Sequence, residues 1–158
     1  MEPEVLYRIA LSRIKGMNKS LAQHIHETVE SLDLFFSLPE NQLRELTGIS
    51  SRMLQDDIRR EAMQKARQEM EFIQKGNITP LYFTDPAYPT RLTECVDAPP
   101  LLYYRGSADL NAAKVVSVVG TRRATEYGRS FCPALVRDLA IRFPPLVIVS
   151  GLAYGIDI

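Results

Sequence analysis

The chain has 158 residues, 46% of them hydrophobic, enough for one good core or for one core with a small satellite domain. Its 19 basic and 19 acidic residues cancel, so no global field attracts nucleic acid, and any such binding must rest on a local patch. Cys95 and Cys132 form no Cys-x-x-Cys pair, which leaves metal and redox sites without support, while the lack of a cationic-apolar leader or a membrane-length apolar run leads us to expect a soluble, cytoplasmic protein.

Pro3 to Ile14 reads as a helix with Val5, Leu6, Ile9, Ala10 and Ile14 on one stripe and Pro3 suited to the first turn. Lys15-Gly16-Met17-Asn18 breaks it. A second helix is expected from about Lys19 to Leu32, with Leu21, Ala22, Ile25, Val29 and Leu32 inward and Asn18 or Ser20 as its cap. The first junction, Leu11-x-x-Ile14-x-Gly16-Met17-Asn18-x-x-x-Ala22-x-x-Ile25, returns as Leu43-x-x-Leu46-Thr47-Gly48-Ile49-Ser50-x-x-x-Leu54-x-x-x-Ile58. Both read as helix-hairpin-helix units, in which a turn Gly frees backbone N–H groups to hold phosphates. A helical hairpin needs such a Gly whether or not it touches DNA. Arg44 and Arg52 beside Gly48 stand among Glu45, Asp56 and Asp57, which favours the purely structural reading there. Around Gly16 the bases Arg13, Lys15 and Lys19 cluster, and weak DNA contact through Lys15, Gly16 and Lys19 stands level with the structural reading.

A long helix follows from Ser51 to about Lys75, apolar at Leu54, Ile58, Ala62, Ala66, Met70 and Ile73 and ended by Gly76-Asn77. Its charges, among them Arg59, Arg60, Glu61, Lys65, Arg67 and Glu69, read as a solvated face. After Gly76 proline and aromatic residues become frequent, and the domain boundary is placed there, with residues 1–76 helical and residues 77–158 α/β. Ile78 to Phe83 and Leu101 to Tyr104 read as strands, and the prolines between them hold the connection extended. Tyr82, Tyr88, Tyr103 and Tyr104 read as packing between sheet and loop, with stacking on nucleic-acid bases as the minority alternative. Asp109 to Ala113 makes a short helix or turn.

Val115 to Val119 is an apolar, β-branched run of the kind found in parallel strands covered on both faces, and it stops at Gly120. Gly120 allows a sharp turn and close approach of a ligand to the backbone; Thr121 and Thr125 offer hydroxyls, and Arg122 and Arg123 offer cationic forks. A helix from about Thr125 or Glu126 to Arg142 would turn Leu135, Val136, Leu139 and Ala140 to the sheet, with Pro133 causing a kink near Arg129 or a late start. A second strand, Leu146 to Val149, runs into Ser150-Gly151-Leu152-Ala153-Tyr154-Gly155-Ile156-Asp157. Two glycine loops then share the carboxyl edge of one sheet, where open α/β folds bind anions. Asp157 reads as an acid bracing the loop.

Val118-Val119-Gly120-Thr121-Arg122-Arg123-Ala124-Thr125-Glu126-Tyr127-Gly128, followed by Ser150-Gly151-Leu152-Ala153-Tyr154-Gly155-Ile156-Asp157, resembles the DNA-processing protein A (DprA/Smf) family. So do Asp85-Pro86-x-Tyr88-Pro89-x-x-Leu92 and Pro99-Pro100-Leu101-Leu102-Tyr103-Tyr104-Arg105-Gly106, so that the resemblance covers most of residues 78–157. It implies a small N-terminal helical (SAM-like, helix-hairpin-helix) domain followed by an extended Rossmann-like domain, here incomplete, that binds single-stranded DNA without catalysis or cofactor. It further implies protection of incoming strands in natural transformation, loading of the RecA recombinase, and a homodimer in the full-length protein. The expected phosphate-binding residues are Gly120, Thr121, Arg122, Arg123, Thr125, Gly128, Ser150, Gly151, Ala153 and Gly155. Arg122 leads them, because it follows the Gly-Thr turn and matches the family's motif arginine; its structural alternative is pairing with Asp157 or a carbonyl. Tight packing between the two loops is the structural alternative for Ser150, Gly151, Ala153 and Gly155. Gly155 to Ile158 falls where the family's loop enters its next helix, so a fragment is expected.

Two other classes stay in view. A nucleotide-binding Rossmann enzyme or sensor draws on the generic fold, although Gly-x-Gly-x-x-Gly and the Walker Gly-Lys-Ser/Thr are lacking. A protein-docking scaffold working through the helical region fits the near-neutral charge.

Overall fold

The structure, a computed structural model, describes residues 3–157; Ile158, the end of the expected α/β region, lies outside the described residues. The chain divides into two compact units, Met1–Gly106 and Ser107–Ile158.

The first unit begins with α1, Pro3–Arg13, which buries Ile9, Ala10 and Leu11 and packs lengthwise on α5, Asp56–Gly76. Each fully buried Leu or Ile of this kind contributes roughly 1.5–3 kcal/mol. Gly16 (φ +87) closes the first hairpin, and the Asn18 side chain caps α2, Lys19–Thr28, by accepting from the Leu21 N–H at 2.9 Å. The α2 helix ends four residues before the predicted Leu32. Val29 leaves it in extended conformation yet stays buried, and the chain turns so that Leu32 opens α3, Leu32–Ser37, and carries Phe35 into the same core. Burying Leu32 and Phe35 together outweighs the local helical period, because a straight helix cannot bring both to α1.

The second hairpin follows α4, Glu40–Thr47, and Gly48 (φ +67) ends that helix with its N–H bonded to the Arg44 carbonyl. Here the repeat diverges from the first hairpin. Residues 49–51 run without helix into a 3-10 turn, Arg52–Leu54, before α5 starts, and Leu46 is half exposed where the repeat predicts a packed position. The turn glycine and its flanking apolar residues Leu43 and Leu54 are kept.

Arg59 departs most from expectation. In place of a solvated face position, it is 3% exposed. Its guanidinium donates to the carbonyls of Leu54 (3.0 Å), Leu38 (2.7 Å) and Phe35, pairs with the Asp56 carboxylate, and lies over the Phe35 ring. It therefore satisfies carbonyls at the end of α3 that no helical N–H reaches.

Strands β1, Thr79–Tyr82, and β2, Leu101–Tyr104, pair antiparallel with Thr79 opposite Tyr104 and Tyr82 opposite Leu101. Tyr82 and Leu101 belong to the same core as the helices. Tyr82 bonds His26 Nε2 through its hydroxyl (2.9 Å), lies under Arg8, and donates its backbone N–H to Asp85 (2.7 Å), which in turn pairs with Arg8 at 2.8 Å. Burial pushes the Tyr82 phenol well up, and burial together with the Arg8 cation lowers His26 below 6.5. Tyr88 is buried, donates to the Pro99 carbonyl at 2.6 Å and precedes the short helix α6, Thr90–Thr93. The packing role read for Tyr82 and Tyr88 is the one they have; Tyr103 is 42% exposed.

The second unit has β3, Lys114–Ser117, and β4, Leu146–Val149, paired parallel in the register Val115 to Val147, with α7, Glu126–Arg142, as the crossover. Residues 109–112 make a turn. The expectation of a strand covered on both faces is not met within these residues: Val115 and Val116 are half-buried, and Val119 and Val149 are exposed, because a single helix covers two strands. The α7 helix starts at Glu126, capped by Thr125, whose Oγ1 accepts from the Gly128 N–H at 3.2 Å; the late start predicted from Pro133 does not occur. Pro133 lies inside the helix and costs it one backbone bond, that to the Arg129 carbonyl. Cys132, Val136 and Leu139 form its half-buried stripe, while Leu135 and Ala140, predicted to face the sheet, are exposed. No helix among the described residues is long and apolar enough to cross a membrane.

Candidate nucleic-acid interface

Strands β3 and β4 run in the same direction and release their loops at the same edge. The ladder extends one bond further, from the Val118 N–H to the Val149 carbonyl at 2.8 Å, and then both loops bend toward Asp157. One carboxylate oxygen of Asp157 accepts from the Gly120 N–H at 3.0 Å, and the other accepts from the Gly151 N–H at 3.1 Å. The Ser150 hydroxyl donates to the Asp157 carbonyl at 3.0 Å, and the Ile156 N–H donates to the Thr121 carbonyl at 3.3 Å. One acid thus clasps both glycine loops.

This clasp changes the role of two glycines. A Cβ on Gly120 would lie 2.4 Å from the Ile156 Cβ, so the space opened there is filled by Ile156 and the N–H is held by Asp157. Gly155 sits at φ +107, and a Cβ would lie 2.1 Å from the Thr121 carbonyl oxygen. Both glycines let one loop lie against the other. Gly128 and Gly151 have closer room as well, with Ile156 and Asp157 as the respective neighbours at 3.0 and 3.1 Å. Ala153 is half-buried in the second loop.

With both oxygens of Asp157 occupied by N–H groups, Arg122 has no ion pair with it. Among the described residues no ion pair holds Arg122, Arg123 or Arg129. Thr121 Oγ1 accepts from the Arg123 N–H at 3.2 Å, which fixes the turn that carries the two arginines and leaves the Thr121 hydroxyl proton to be donated. Arg122 and Arg129 line an open cleft of about 720 Å³ together with Ser150, Tyr154 and Asp157, against an apolar side of Val118, Val136 and Ile148. Thr125 is committed to capping α7, and Arg123 lies outside the cleft on the exposed turn.

Sequence reasoning missed three features of this site: Ile156 as the filler of the glycine gap, Leu152 in the left-handed region at φ +53, and the cleft position of Tyr154. The Gly-Leu-Ala-Tyr-Gly string carries the signal for Tyr154, an aromatic residue in a loop otherwise kept small. Nothing in the sequence signals Leu152, since a Leu disfavours that conformation and only the loop's closure imposes it.

The first helical hairpin is differently occupied. The Lys19 N–H donates to the Ala98 carbonyl at 3.1 Å, the Lys19 ammonium bonds the Thr93 carbonyl, and the Met17 N–H bonds Ile14. Lys15 and Gly16 are exposed.

Together these features define a class: a helical-hairpin region followed by a partial Rossmann-like α/β unit whose two strand-end loops are clasped beside free arginines. The sequence profile of the family described as DNA recombination-mediator protein A matches residues 79–158, beginning at the first residue of β1, and the chain belongs to that family. It is 44% identical over 73 residues to the DNA processing protein DprA of Streptococcus pneumoniae, a stretch covering 46% of this chain and 25% of that protein. It is 37% identical over 71 residues to DprA of Bacillus subtilis, covering 44% of this chain and 23% of that protein. The matched stretch thus spans about a quarter of the length of these curated relatives. The X-ray structure of DprA from Streptococcus pneumoniae aligns over 96% of this chain and 50% of its own, with a TM-score of 0.60 and 26% identity.

Proposed function

We propose that this chain binds single-stranded DNA non-catalytically, through phosphate contacts at the two clasped loops. The observation that carries the reading is that Arg122 and Arg129 face one cleft with no acid paired to them, while Asp157, the acid that lines this cleft, is spent on backbone N–H groups. Arg122 is the leading contact, with Arg129, Arg123 and the hydroxyls of Thr121 and Ser150 around it. The glycines Gly120, Gly128, Gly151 and Gly155, with Ala153, act by permitting the clasp; Thr125 acts by starting α7. Lys15 and Gly16 are placed for a weaker second contact, and Lys19 would support it through the backbone it holds.

The family description as a recombination mediator and the relatives' names as DNA processing proteins support a role in DNA recombination, which the family resemblance extends to natural transformation. In that role the protein protects incoming single strands and loads the RecA recombinase, as a homodimer. Fluorescence anisotropy of a labelled oligothymidylate, titrated with the chain and with Arg122→Ala at two salt concentrations, tests the site. Binding should weaken steeply with salt, and the variant should bind about tenfold or more weakly. Affinity unchanged in Arg122→Ala would remove the site from this loop.

A further inference from the structure

We propose that Tyr154 is a base-stacking residue of this site: its ring takes the face of a nucleobase whose phosphate lies against Arg122 and Arg129. The inference rests on the single-stranded DNA reading above and adds to it a contact that phosphate binding does not require.

Of the chain's seven tyrosines, six are engaged. Tyr7 stacks on Phe36, Tyr82 and Tyr88 are buried and hydrogen-bonded, Tyr103 bonds Glu69, Tyr104 has partners of its own, and Tyr127 stacks on Phe131. Tyr154 is 82% exposed, and among the described residues neither its ring nor its hydroxyl has a partner. An exposed aromatic ring gains by burial against an apolar face, and a nucleobase is such a face with its polar atoms at the edge.

The ring is also presented by a held loop. Gly151 and Ile156, on either side of it, are bonded to Asp157 and Thr121, Gly155 lies against the Thr121–Arg122 backbone, and Leu152 is kept in a left-handed conformation that a free Leu avoids. Tyr154 lines the same cleft as Arg122 and Arg129. A cationic fork for the phosphate and an aromatic face for the base, on one cleft, are the two components with which proteins hold single strands without reading sequence.

The test compares an oligothymidylate with an oligomer of equal length made of abasic sites, which keeps every phosphate and removes every base. The wild-type chain should bind the oligothymidylate about tenfold more tightly than the abasic strand. Tyr154→Ala and Tyr154→Leu should lose that preference while binding the abasic strand as wild type does, and Tyr154→Phe should keep it, because the ring and not the hydroxyl makes the contact. Far-UV circular dichroism checks that the variants stay folded, as expected of an exposed loop position. A preference for bases that survives Tyr154→Ala, or a wild-type chain with no preference, overturns the stacking role. If Arg122→Ala still weakens both strands in that case, the phosphate reading stands alone. A wild-type chain that binds neither strand defeats both.

Discussion

The two units of this chain place their order in opposite parts of the structure. In Met1–Gly106 the order lies inside: Ile9, Leu11, Ile25, Phe35, Leu43, Leu54 and Ile73 are wholly or almost wholly withdrawn from water, and even a charged side chain, Arg59, is used as an interior tie. In the described part of Ser107–Ile158, Ala112 is the one buried residue, and the order lies at an edge, where Asp157 clasps two loops. The first arrangement resists change through packing and satisfied polar groups. The second holds two loops in place through a few backbone bonds and two glycines, so it should respond to small local changes that leave the first untouched.

The largest effect expected from this contrast is at Arg59. Arg59→Leu keeps an apolar stem but strands the carbonyls of Phe35, Leu38 and Leu54, and should cost the first unit about 3 kcal/mol in urea denaturation. Oligothymidylate binding measured below the new transition should be unchanged. A loss below about 1 kcal/mol would mean that the interior tie is not what holds α3 to α5.

A smaller and local effect is expected at Gly155. Gly155→Ala must place a Cβ at φ +107 against the Thr121 carbonyl oxygen, which should cost about 2 kcal/mol and open the clasp. Hydrogen exchange at the Gly120 and Gly151 amides should accelerate and oligothymidylate binding should fall, while amides of α1 and α5 keep their protection. Faster exchange in both units would erase the distinction drawn between them.

The smallest effect concerns pH. Burial first, and the Arg8 cation second, hold His26 below its ordinary 6.5, against a weaker opposing pull from Glu4. The folded first unit therefore binds a proton at His26 less readily than the unfolded chain does. The stabilisation due to neutral His26 is fully present above pH 6.5 and is lost as pH falls from there through the lowered folded value. Because His26 is only half-buried, the drop in melting temperature between pH 7.5 and pH 5 that His26→Gln removes should be no more than a few degrees. An equal drop in the variant would assign the acid sensitivity to other groups.

Much of the first unit was legible in the sequence because its signals are local. Pro3, Asn18, Gly48 and Asn77 mark helix ends through their own backbone preferences, and Gly16 and Gly48 do adopt the positive φ that the repeated hairpin pattern implies. The early stop of α2 and the burial of Arg59 were not legible. Arg59 is bonded to carbonyls 21 and 24 residues away, and no periodicity within α5 encodes partners at that distance. The change of texture after Gly76 does mark the start of strand structure, whereas the compact unit runs on to Gly106, since Tyr82 and Leu101 are buried in the helical core.

The sequence alone determined the first helix, the long helix before the strands, the order of the four strands, the two glycine loops at one sheet edge and the presence of arginines on the first of them, because each follows from a residue's intrinsic geometry, charge or spacing. Tertiary structure decided what those glycines are for. Gly120 and Gly155 admit the opposing loop, and Asp157 takes backbone N–H groups and makes no ion pair with Arg122. The physical reason is that a hydrogen-bond donor or a gap left by a missing Cβ goes to whichever group folding brings nearest, and that neighbour is set by two strands distant in sequence, Val115 pairing with Val147, that meet only in the parallel sheet.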